Sequence, residues 1–266
     1  MRWSEAQRTM LRAMGVRLFE PLPSASAPSV PAKPARAPLP EPPAAAAPVG
    51  GPRAPAPAAS RPLAVAATVA VARPEIATLG WAELREAVAA CRACALCESR
   101  QQTVFGVGHA QAHWMIVGEA PGEQEDREGQ PFVGASGQLL DNMLRALGLT
   151  REDGPPEHQV FIANTLKCRP PKNRNPVAAE MAQCAPFLER QIALVRPRVI
   201  LAMGRFAAQA LLASDEPLGK LRGQVHRYRE VPVVVTYHPA YLLRTLADKA
   251  RAWDDLCLAA TVVRGT

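Results

Sequence analysis

Four short, unbroken apolar runs constrain this chain most. They are HWMIV at 113–117, QVFIA at 159–163, VILA at 199–202 and PVVVT at 232–236. Each is too short for a helix and is apolar on both alternating faces, as expected of a strand covered on both sides. Helical spacing fills the gaps, at 136–147, 178–195 and 205–212. One helix at 78–92 comes before the first run, and another is expected across 241–262 after the last. Strands that alternate with helices predict an α/β protein with a mainly parallel sheet and helices on both faces.

The 266-residue chain does not share this pattern throughout. Between Pro21 and Glu75 it carries 15 prolines in 55 residues, with Ala, Ser, Val and Arg making up most of the rest. Such a stretch cannot bury enough bulky side chains to offset its ordering entropy, so 21–75 reads as a disordered Pro/Ala-rich linker. Residues 1–20 hold a short helical pattern (Met10, Leu11, Met14, Leu18) with Ser4 as N-cap. It reads as a frayed terminus or as a docking peptide for a protein partner. The folded domain is expected at 76–266.

Of the net charge of +7, residues 1–75 contribute nine basic and four acidic side chains, leaving 22 and 20 for the domain. The basic character belongs to the tail, so nucleic-acid binding must be argued from local clusters. The longest uncharged apolar run, 63–72, is about half of what a membrane-spanning helix needs. The N-terminus is charged where a signal peptide has its apolar core, so a cytoplasmic location is expected and a membrane one is not.

Six cysteines stand at 91, 94, 97, 168, 184 and 257. In a non-secreted chain, clustered cysteines point to metal or catalysis. Cys91 and Cys94 form a C-x2-C clasp, and Cys168 and Cys184 can close a four-thiolate cage from a distance. Cys97 offers a spare ligand, and Cys257 falls on an apolar helical stripe. Four thiolates without histidine suit zinc or an iron–sulfur cluster, and the wide C-x15-C half favours the cluster.

In open parallel sheets the ligand lies beyond the carboxyl ends of the strands. The loops there are GEAPGEQEDREGQPFVG, NTLKCRPPKNRNP, MGR and YHPAYLLR. In the first, Gly118, Glu119 and Ala120 form a turn with a carboxylate, and Phe132 offers a ring to a planar ligand. In the second, the Asn164 amide can donate to a carbonyl and accept from an adjacent ring N–H. Lys167, Arg169, Lys172 and Arg174 follow it, four cations on a proline-stiffened loop that suit a phosphate backbone. In the last, His238 stands at a strand end, Leu242 and Leu243 could wedge into a base stack, and Arg244 could hold a phosphate.

These motifs, in this order and framed by four cysteines, resemble the family 4 uracil-DNA glycosylases, the thermostable type with a [4Fe–4S] cluster. The resemblance runs from about Cys91 to Arg244. It implies a four-stranded parallel sheet in an α/β/α sandwich, with the cluster held by Cys91, Cys94, Cys168 and Cys184 and with Cys97 unliganded. By the same likeness Phe132 stacks on uracil, Asn164 reads its edge, His238 faces O2, and Glu119 positions water. The substrate implied is uracil-containing DNA, single- or double-stranded, and the expected state is a monomer. One departure stands out: Gln130 occupies the place where the family usually has Arg. A related branch traps uracil through a His in an inserted basic loop. The segment 125–129 (EDREG) has no insertion and no His, so turnover is expected.

Two rival readings compete. A non-catalytic iron–sulfur or zinc DNA-binding module would leave Glu119, Asn164 and His238 on three strand-end loops unexplained. A metallohydrolase would need an open coordination position, which four thiolates deny it.

Overall fold

The computed structural model describes residues 75–265, with Thr9 and Ala13 before them. The helical peptide expected at 1–20, apart from those two residues, and the linker at 21–75, apart from Glu75, lie outside the described residues.

The element order is α1 (Trp81–Ala89), α2 (Leu96–Ser99), β1 (Val107–Gly108), β2 (Trp114–Gly118), α3 (Glu123–Glu128), α4 (Gly134–Ala146), β3 (Val160–Asn164) and α5 (Ala178–Val195). Then follow β4 (Val199–Met203), α6 (Arg205–Leu212), α7 (Leu218–Leu221), β5 (Val225–Tyr228), β6 (Val231–Thr236), α8 (Pro239–Arg244) and α9 (Lys249–Gly265). The sheet order is β1-β3-β2-β4-β6-β5. The inner four strands are parallel, and they are the four apolar runs. The expectation of four strands is corrected to six, because β1 pairs antiparallel with β3 at one edge and β5 with β6 at the other.

Side-chain alternation along the inner strands divides the core. Met115, Val117, Phe161, Ala163, Ile200, Ala202, Val233 and Val235 face one layer, made of α1, α5 and α6. Trp114, Ile116, Val160, Ile162, Val199, Leu201 and Val234 face the other, where α4 and α9 pack. Every residue of β2, β3 and β4 is buried. Each large aliphatic side chain so covered stabilises the fold by about 1.5–3 kcal/mol, and the α/β/α sandwich follows.

The chain moves from β2 to β3 on one side, then crosses back over β2 to β4. The crossovers on either side of β2 put α4 on one face and α5 on the other, which opens a crevice beyond the strand ends. The helix expected across 241–262 is broken. It ends at Thr245, whose φ of −124° and ψ of 78° are not helical, and α9 begins at Lys249.

Candidate active site

The crevice is a cavity of about 820 Å³. Loops from all four parallel strands line it: Glu119 and Ala120 after β2, Asn164 at the end of β3, Gly204 and Arg205 after β4, and His238 after β6. Phe132 and Arg174 complete the wall, with Arg244 at the rim.

Gly118 is buried beneath the wall formed by Phe132 and Asn164. A Cβ there would sit 2.6 Å from Phe132 Cζ and against the side-chain oxygen of Asn164. Phenyl and amide therefore converge over a position that only glycine leaves open. The β2–β3 register pairs Gly118 with Asn164 directly. Phe132 adopts a left-handed φ of 53°, a conformation that costs a non-glycine residue of order 1–3 kcal/mol. The Glu125 carboxylate accepts from the next amide, Val133 N–H, at 3.2 Å and secures the turn. Loop to loop, Thr165 N–H donates to the Gly118 carbonyl (3.0 Å), and Leu166 N–H and the Thr165 hydroxyl donate to that of Glu119.

His238 stacks on Phe132 with ring centroids 5.2 Å apart and planes 25° apart, and Phe132, only 4% exposed, lines the cavity. Its Nδ1 accepts from Ala240 N–H at 3.2 Å as the N-cap of α8. An accepting Nδ1 puts the proton of the neutral ring on Nε2. Burial, aided by the Arg244 cation, lowers the His238 pKa to about 4. At neutral pH the ring is an uncharged Nε2–H donor. Burial raises the Glu119 pKa, while the Arg205 cation pulls it back down.

The expected cations separate. Lys172 and Arg174 are exposed and Arg169 is half-buried beside the cavity. Arg174 is gripped by Glu180 at the start of α5, with one contact of 3.0 Å and one of 2.5 Å. Arg169 donates to Asn173 Oδ1 at 2.8 Å and to Glu123 at 3.4 Å. Lys167 is a correction: it is fully buried and cannot touch a phosphate. Leu242 is a second correction. It is buried under α8, whereas Leu243 is 40% exposed and Leu246, just beyond, 63%.

Sequence reasoning missed Arg205, Tyr237 and Tyr241 as cavity residues. The two tyrosines stack at 5.0 Å, Arg222 lies 4.2 Å over Tyr237, and Tyr241 donates to Asp248 at 2.6 Å. Their i, i+4 spacing around His238 was the available signal, as was the Gly-Arg pair closing the third apolar run.

Behind the cavity, Cys91, Cys94, Cys97, Cys168 and Cys184 line a second, smaller recess. Arg100 donates to Cys168 Sγ at 3.0 Å, and Lys167 N–H to Cys184 Sγ at 3.3 Å. Burial pushes the Cys184 thiol up to about 12 and raises Cys94 and Cys168 too. Among the described residues no three acidic, histidine or cysteine side chains converge to hold a single metal ion. Several thiols around one recess fit a group of several atoms with several attachment points. Cys257 packs on the α9 layer of the core, as expected.

A parallel α/β/α sandwich that gathers a phenyl, an amide, an imidazole and a carboxylate around a cavity at its strand ends has the architecture of an enzyme that binds a planar polar ligand there. Residues 105–257 match the model of the uracil DNA glycosylase superfamily, and the chain belongs to that family. It is 42% identical over 170 residues to a type-4 uracil-DNA glycosylase of Sulfurisphaera tokodaii, covering 60% of this chain and 74% of that protein. It is 42% identical over 164 residues to the type-4 enzyme of Archaeoglobus fulgidus (59% and 79%). To that of Pyrobaculum aerophilum it is 41% identical over 184 residues (66% and 91%).

Proposed function

We propose that this protein is a DNA-repair hydrolase that everts uracil from DNA and hydrolyses its N-glycosidic bond, leaving an abasic site. The observation that carries this reading is the convergence of Phe132, Asn164, His238 and Glu119 on one cavity.

Everting a nucleotide costs a few kcal/mol. Stacking on Phe132 returns about 1–3 kcal/mol. Uracil presents a carbonyl beside a ring N–H, where cytosine presents an amino group beside a bare ring nitrogen. The Asn164 amide, held at the buried end of β3, satisfies the first pattern and opposes the second, which would leave buried polar groups unpaired. As the C1′–N1 bond breaks, its electron pair leaves with uracil and negative charge gathers on O2. His238 Nε2–H meets that charge as a neutral donor, so no proton need be transferred for stabilisation. The Glu119 carboxylate stabilises the cationic sugar and orients the water whose oxygen bonds to C1′; it takes up the proton that the water releases, and this proton neutralises the departed uracil anion. Lys172, Arg169, Arg174 and Arg244 hold the DNA backbone, and Leu243 fills the gap in the stack.

Cys91, Cys94, Cys168 and Cys184 would hold a [4Fe–4S] cluster, with Cys97 beside it, in preference to zinc. Bound there, the cluster supplies a rigid cross-link between the first helices, the β3 loop and α5. Hydrolysis needs no electron transfer. The same reading makes the protein a cytoplasmic monomer, in keeping with its unbridged thiol cluster. No helix among the described residues is long and apolar enough to cross a membrane.

Incubating the purified protein with uracil-containing DNA and treating the product with alkali tests the activity. Strand cleavage at uracil, and none at cytosine in the matched strand, is expected. Intact uracil strands would refute the proposal. Visible absorbance and about four irons per chain are expected for the cluster, and zinc alone would refute it.

A further inference from the structure

Lys167 was expected on the DNA face and lies in the interior, 1% exposed. Its Nζ donates to the main-chain carbonyl of Asn164 at 2.7 Å and to Gln191 Oε1 at 2.7 Å. Gln191, itself fully buried on α5, donates onward to the Phe105 carbonyl at 2.8 Å. The Lys167 main chain is fixed as well: its N–H donates to Cys184 Sγ at 3.3 Å, and its carbonyl accepts from Val104 N–H at 2.8 Å. Lys167 also lines the thiol recess. A buried amine costs several kcal/mol unless its partners are well placed, and these hydrogen-bond partners are neutral. A leucine or methionine would fill the space more cheaply. What they could not do is hold the Asn164 carbonyl.

We propose that Lys167 is a positioning residue for base recognition: by tying the end of β3 at Asn164 to Gln191 on α5, past the thiol recess, it fixes the backbone from which the Asn164 amide reads the base. The inference rests on the uracil-reading role proposed above. It explains how a recess some distance behind the pocket bears on the pocket's geometry. Cys184, whose Sγ accepts from the Lys167 N–H, lines that recess, so a group bound there would bear on Lys167 and, through it, on Asn164.

The test uses the full chain and three substitutions at two positions. Lys167→Met keeps the volume and removes the donors. Gln191→Met keeps Lys167 and removes its second anchor, whereas Gln191→Glu preserves an acceptor. For each variant, iron per chain, affinity for DNA carrying an abasic site, and kcat and KM for uracil excision are measured. The expected result is iron and abasic-site affinity at wild-type levels, KM within about twofold, and kcat lowered about 10–100-fold in Lys167→Met, the scale of a small displacement of a reactive group. Gln191→Met is expected to fall in the same direction and Gln191→Glu to recover most of the rate. Wild-type kcat in an iron-replete Lys167→Met overturns the inference. If Lys167→Met loses iron or fails to fold, the glutamine pair decides. Equal rates in Gln191→Met and Gln191→Glu would mean packing alone and also overturn it. Should the unaltered protein release no uracil, the functional proposal fails instead of this one.

Discussion

Single side chains divide the labour in the cavity, and each can be removed separately. Asn164→Asp replaces the amide donor with an acceptor. Loss of one buried hydrogen bond and creation of an unpaired group is worth about 1–3 kcal/mol each. Single-turnover excision of uracil is expected to fall at least tenfold, with discrimination against cytosine weakened. An unchanged rate and selectivity would remove the reading role. His238→Ala is expected to lower the single-turnover rate about 10²–10³-fold, with far less effect on DNA affinity. The pH dependence follows from two opposite shifts. His238 is lowered from 6.5 to about 4, so between those values the unfolded chain binds the extra proton and this residue's contribution to stability is lost as pH falls. Glu119 is raised above its ordinary 4.5, so there the native state holds the extra proton and its contribution declines as pH rises through that window. The rate should therefore show one acid limb, set by ionisation of Glu119 above pH 4.5. Arg205→Ala removes the cation that opposes the shift and is expected to move that limb to higher pH; an unmoved limb would break the link between Arg205 and Glu119.

At the level of elements, α8 carries a clear contrast between neighbouring leucines. Leu242→Ala opens a cavity in the core and is expected to destabilise the fold by about 2–5 kcal/mol in denaturant melts. Leu243→Ala leaves stability nearly unchanged and is expected to slow excision more in duplex than in single-stranded DNA, where no stack needs filling. The sequence motif named both residues, but only the helical phase of this six-residue element separates the buried one from the exposed one. The four inner strands and α5 and α6 were legible from apolar runs and spacing, because burial on both faces demands that pattern. The edge strands were not. Val107–Gly108 is two residues long, and VHRY at 225–228 is polar enough to read as loop. Strand-end position revealed Glu119, Asn164 and His238. Lys167 deceived because a cation in a basic run resembles its neighbours until α5 closes over it.

Across the whole molecule, charge and topology act together. The domain is nearly neutral in sum, so its grip on DNA depends on where its cations stand. Among the described residues Lys172, Arg205 and Arg244 have no carboxylate within ion-pair reach, unlike Arg169 and Arg174. Lys172→Ala is expected to weaken binding to all sequences alike and to flatten the salt dependence by about one unit of slope; an unchanged slope would take Lys172 off the backbone. The topology sets the rest, since a crossover change at β2 is what places four loops around one crevice.

The most direct measurement is a crystal structure of the protein with DNA carrying a uracil nucleotide whose glycosidic bond resists hydrolysis. The base should lie everted against the Phe132 ring, its carbonyl and ring N–H on the Asn164 amide and its O2 within hydrogen-bond distance of His238 Nε2. A uracil still stacked in the helix, or seated where it touches none of these three residues, would contradict the account.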